Sequence, residues 1–121
     1  HALLLGLSGE HHDADVSLDG VSGIGDGDGG IRHGAVLIRL VEAMWAGEPG
    51  ELAAAREAVL EAAGPDVLVD SVAVSANFHL MTRVADGTGT PLDPTTEEMS
   101  APWRDGIGVH GFASRRHVPT D

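Results

Sequence analysis

Apolar positions return at helical spacing from residue 34 onward, in blocks punctuated by Gly and Pro. In HGAVLIRLVEAMWA, His33 to Ala46, the side chains of Leu37, Leu40, Val41, Met44 and Trp45 fall on one face, with Arg39 and Glu42 away from it. This predicts a helix that Gly47 stops. Pro49 suits a first helical turn, because the N–H it lacks would have no intrahelical partner there. A second helix follows through GELAAAREAVLEAA, with Leu52, Ala55, Val59 and Ala63 inward. Its alanines favour helix and let a neighbour approach closely. Gly64 ends it.

Pro65 and Asp66 repeat the start signal, the carboxylate meeting the positive end of the helix dipole. The third predicted helix, residues 65 to 86, is the longest. Val69, Val72, Ala73, Ala76, Leu80 and Val84 make one continuous face, and Val74, Phe78 and Met81 add apolar side chains elsewhere on the circumference. A rod apolar on several sides needs companions. It is therefore expected to lie centrally, shielded in part by a second copy of the chain. Asp70, Asn77, His79 and Arg83 interrupt it, which argues against a membrane span. Gly87 and Gly89 suit the left-handed positions that close a helix, and Pro91 prevents resumption. Asp93, Pro94, Glu97 and Glu98 start a shorter fourth helix, which Pro102 should end or kink. Residues 106 to 121 lack a period and are read as mostly irregular. No strand pattern competes, since residues 67 to 74 alternate poorly.

Ahead of these blocks, Ser8 to Gly30 is dominated by Gly, Asp, Ser and His, a composition that buries little while paying the full backbone ordering cost. The expected organisation is a flexible, acidic Gly/Asp/His-rich arm over 1–32 and a single helical domain over 33–121. The fold class is all-α, a compact bundle of about four helices with a long central one. A length of 121 residues suits one domain.

Charge narrows the partners. A formal net charge of -12, from seven arginines, no lysine and nineteen carboxylates, works against nucleic acid and anionic bilayers. The absence of cysteine removes disulfides, thiolate metal sites and thiol nucleophiles. The opening HALLLGLSGE is too short to span a bilayer and has no basic residue ahead of its apolar run. A cytoplasmic protein is the default expectation.

The segment SANFHLMTRVADGTGTPLD, Ser75 to Asp93, resembles small helical proteins of the alkylhydroperoxidase D-like and carboxymuconolactone decarboxylase-like group. In these an asparagine and an aromatic residue precede an arginine, an Ala-Asp pair, a glycine-containing turn and a Pro-Leu-Asp. The likeness extends more weakly over Gly34 to Ala113. It implies an all-α fold that assembles through helix packing into dimers or larger rings. In active members it also implies a thiol pair, with a nearby histidine and acidic residue, that reduces peroxide. With no cysteine here, that chemistry is expected to be absent and the proton-relay residues are not carried over. The positions that match are Asn77, Phe78, Arg83, Ala85, Asp86, Gly89, Pro91, Leu92 and Asp93, with mainly structural meaning.

Several groups carry candidate chemistry. Gly25, Gly27 and Gly30 have the spacing of a dinucleotide fingerprint, yet no strand precedes them and Asp26 and Asp28 would repel a phosphate. A flexible acidic loop is the preferred reading. His11, His12, Asp13, Asp15 and Asp19 offer donor types that cations accept, though without the order of a calcium loop, and a solvated polar loop is again preferred. His79, Arg83 and Asp86 share a helical seam in which a carboxylate could poise the imidazole as a general base. The plainer alternative, an interhelical or intersubunit ion pair, is favoured. Asn77, if buried, would need partners, because an unsatisfied amide costs about 1–3 kcal/mol. Trp45, Phe78 and Met81, with Met44, are candidates for a small apolar pocket between helices, against the plainer reading of core or dimer seam.

The expected function is a ligand-binding or structural homodimeric module for a small apolar ligand, with no cofactor implied. Two alternatives stand beside it: an enzyme using His79 as base in lactone or decarboxylase-type chemistry, and a metal-binding protein centred on His11 and His12.

Overall fold

A computed structural model describes residues 2–18 and 27–111. Five α-helices occur among them and no strand: α1 (Ala2–His11), α2 (Gly34–Ala46), α3 (Pro49–Ala63), α4 (Pro65–Thr88) and α5 (Pro94–Arg104), with a single 3-10 turn at Val109–Gly111. None is long and apolar enough to cross a membrane.

The predicted glycines make the turns. Gly47 takes the left-handed conformation (φ 77°) and folds α2 back on α3. Gly64 (φ 88°, ψ 174°) is the whole connection between α3 and α4, a backbone state that a Cβ would strain. These short links hold α3 between its neighbours, so that α2 and α4 both lie against it. The centre is Leu40 and Ala43 from α2 with Ala55 and Val59 from α3, and Leu40, Ala55 and Val59 are fully buried. Val36, Leu37, Met44, Leu52 and Ala63 pack around them, joined by Val67, Leu68 and Val72 from α4. Ala43 and Ala55 allow this close approach because they add little side chain. Across the surface, Arg39 Nη2 reaches Glu51 Oε2 at 3.3 Å, an exposed pair that adds little stability.

The long helix forms, two residues longer than predicted, and Gly89 (φ 64°) rather than Gly87 closes it. Its surroundings within one chain differ from the expected enclosure. No residue of α4 is buried. Of the face expected to point inward only Val72 packs on the core, while Val69, Leu80 and Val84 are 65%, 61% and 57% exposed. The covered side carries Val67, Leu68, Ser71, Val72 and Ser75 instead. The reason is geometric: α4 meets mainly one other helix, which can cover only one stripe of a cylinder.

Within the segment expected to be an arm, residues 19–26 lie outside the described residues. The described part includes α1, whose Leu4 and Leu7 are exposed. It also includes a crossing in which Ser17 N donates to Gly29 O at 3.0 Å. A Cβ at Gly34 would lie 1.8 Å from Asp28 O, so only glycine lets this crossing sit against the start of α2.

Pro102 does not end α5, which continues to Arg104. A proline so near the terminus removes one late backbone hydrogen bond. Two side chains brace the same stretch: Ser100 Oγ donates to Thr96 O at 2.6 Å and Arg104 Nη2 to Glu97 O at 3.1 Å. At the other end Asp93 is the N-cap, accepting from Thr96 N at 2.9 Å and from the Thr96 hydroxyl. The hydroxyl first, then the amide, hold the Asp93 carboxyl below the ordinary aspartate range. A lowered folded-state value means the cap's contribution is fully present above the unfolded value and is lost as pH falls through the folded one. An NMR titration should therefore show Asp93 ionising below a free aspartate, with the Thr96 amide signal moving at the same midpoint. Thr96→Val should shift that midpoint upward.

Candidate functional site

Because α2 and α4 both lean on α3, their flanks converge on an open groove of about 470 Å³. From α2 come Val41 and Trp45, one turn apart. From α4 come Ser71, Val74, Ser75, Phe78, His79 and Thr82, a stripe at spacings of three and four. The Trp45 indole, half exposed, stacks on the His79 imidazole with centroids 4.2 Å apart and planes at 23°. Stacking of this kind favours both ring orientations beyond what their burial alone would do. Thr82 Oγ1 donates to His79 O at 3.0 Å, bonding the turn of α4 that carries the imidazole. Among the described residues no carboxylate or guanidinium lines the groove.

The other candidates are dispersed. Arg83 Nη2 and Asp86 Oδ2 pair at 2.8 Å within α4, both exposed, and neither is joined to His79. The polar seam is thus divided, with the imidazole turned to an aromatic ring and the charges satisfied by each other. Met81 is half exposed and outside the groove lining. Asn77 is also exposed, and its Nδ2 lies 3.8 Å from Met81 Sδ. Met44 packs on the core. The rings of His11 and His12 meet edge-on at 5.0 Å. Among the described residues no set of three metal donors gathers, around Asp13 and Asp15 or elsewhere, and Asp19 lies outside those residues. Of the glycine fingerprint, Gly25 is outside the described residues. The Gly30 N–H is taken by Asp28 Oδ1 at 2.9 Å, which removes it from any phosphate.

Ser71, Ser75 and Thr82 were not singled out by sequence reasoning. The signal was there: Ser71, Ser75, His79 and Thr82 form a polar stripe at steps of four, four and three along an otherwise apolar helix.

Set against known proteins, no family model matches the chain, and neither does any curated protein or solved structure.

Proposed function

We propose that this chain is a dimeric helical binding module that holds a small apolar ligand between α2 and α4. In this reading it is built on an alkylhydroperoxidase D-like plan without thiol chemistry. The observation that carries the reading is the groove walled by Trp45, His79 and Phe78. It has a volume within the range of small-molecule sites and an apolar lining with a few hydroxyls. A binding role is favoured over catalysis by His79, since its ring partner is an indole and the nearby Arg83 and Asp86 neutralise each other. General-base action calls for an orienting acceptor on the imidazole.

The uncovered side of α4 supports self-association. Val69, Leu80 and Val84 lie exposed with Ala73 and Ala76 between them, a run of small and large apolar side chains suited to a second helix. A two-fold pair would cover this side in both copies at once.

The test is a thermal-shift screen of small apolar compounds against the wild-type chain and Trp45→Ala. Hits are expected to raise the melting temperature of the wild type and to lose that effect in the variant. A screen in which Trp45→Ala responds like the wild type would remove the groove as the site. Assays of lactone or carboxylate turnover on the same hits should show no difference between wild type and His79→Ala.

A further inference from the structure

We infer that the groove takes an uncharged, planar aromatic molecule carrying one oxygen at its edge, an inference that rests on the binding role proposed above. Three features of the lining converge on this class. One wall carries stacked rings, with the Trp45 indole keeping half its surface open beside His79. Aromatic faces gain most from a flat partner, which matches both their area and their quadrupole.

The second feature is a pair of hydroxyls. Ser71 and Ser75 stand one turn apart and face the groove, half-buried. Thr82, Thr88 and Ser100 donate back to carbonyls a turn earlier, as helical hydroxyls commonly do. Ser71 and Ser75 make no such bond among the described residues. They are two donors, beside the ring N–H groups of His79 and Trp45, for an oxygen lying along the α4 side of the groove.

The third feature is charge. Among the described residues no arginine lines the groove, and an anion there would sit in the field of a chain carrying -12. Among the described residues a cation would find no carboxylate there. The ligand that fits is neutral.

Three bicyclic probes separate these features at pH 7: naphthalene, 2-naphthol, which is neutral, and 2-naphthoate, which is an anion. Each is titrated into the full 15N-labelled chain while the Trp45 indole N–H signal, assigned with Trp45→Phe, is followed. The expected result is saturable binding of 2-naphthol, roughly three- to tenfold tighter than naphthalene, the size of one net hydrogen bond. The anion 2-naphthoate should bind more weakly than 2-naphthol. In S71A/S75A the advantage of 2-naphthol should vanish while naphthalene binds as before. Alanine at two helical positions favours the helix, so this variant should fold.

An advantage that survives in S71A/S75A overturns the inference, as does 2-naphthoate binding at least as tightly as 2-naphthol. If naphthalene moves the Trp45 signal and 2-naphthol does no better, the inference falls and the groove remains a site. If none of the three moves it, both fall.

Discussion

Leu40→Ala is expected to lower the unfolding free energy by about 2–5 kcal/mol, the range for truncating a fully enclosed leucine. Leu40 has no exposed surface and lies among Ala43, Ala55 and Val59, with Leu37, Met44, Leu52 and Leu68 packed around them, so its truncation opens a void that these neighbours fill only in part. Small domains hold about 5–15 kcal/mol in total, which makes this a substantial fraction of the fold's stability. Urea denaturation should show a lower midpoint with an unchanged slope. Leu60→Ala serves as the contrast: Leu60 is 45% exposed on the outer side of α3 and should cost less than half as much. Equal costs for the two would place the centre of the fold somewhere other than between α2 and α3.

The double substitution Leu80→Asp with Val84→Asp is expected to weaken self-association by more than roughly tenfold, as for a pair of interface anchors. Both side chains are largely exposed in the single chain, so the monomer should keep its helical circular dichroism. Buried in a pair, four carboxylates of one sign would be desolvated without partners, which no nearby arginine relieves because Arg83 is held by Asp86. Sedimentation equilibrium on wild type and variant reads the difference directly. A variant that dimerises as well as the wild type would show that the outer side of α4 is not the contact.

The helices themselves were legible because their punctuation is chemical. Pro49, Pro65 and Pro94 each sit at a first turn, and Gly47, Gly64 and Gly89 each occupy a cap. The inward face of α3 was also readable, since Leu52, Ala55, Val59 and Ala63 are its main apolar row facing a single core. The inward face of α4 was not. Where apolar residues surround a helix, periodicity carries no direction. The choice fell to the partner helix, which met Val67, Leu68 and Val72 and left Val69, Leu80 and Val84 outside.

The same limit applies to α1. Its leucines run together without a period or an N-terminal cap, and glycines at positions 6 and 9 weaken any helical signal. Pro102, read as ending or kinking α5, falls in its last turn, and the helix runs two residues past it, to Arg104.

The candidate site was half legible. Trp45, Phe78 and His79 stood out as large or titratable groups on an apolar background, and they meet at one groove. Their joining depends on α2 and α4 sharing α3 as a support, a tertiary fact no local pattern contains. Met81 and Asn77 share the helix but not the flank. Arg83 and Asp86, three residues apart, found each other before either could reach the imidazole.

The dimeric architecture turns on whether the oily outer side of α4 meets a second copy. Light scattering coupled to size exclusion, run on the wild-type chain across micromolar concentrations, decides it. Two chains per particle is the predicted result; one chain per particle throughout that range contradicts it.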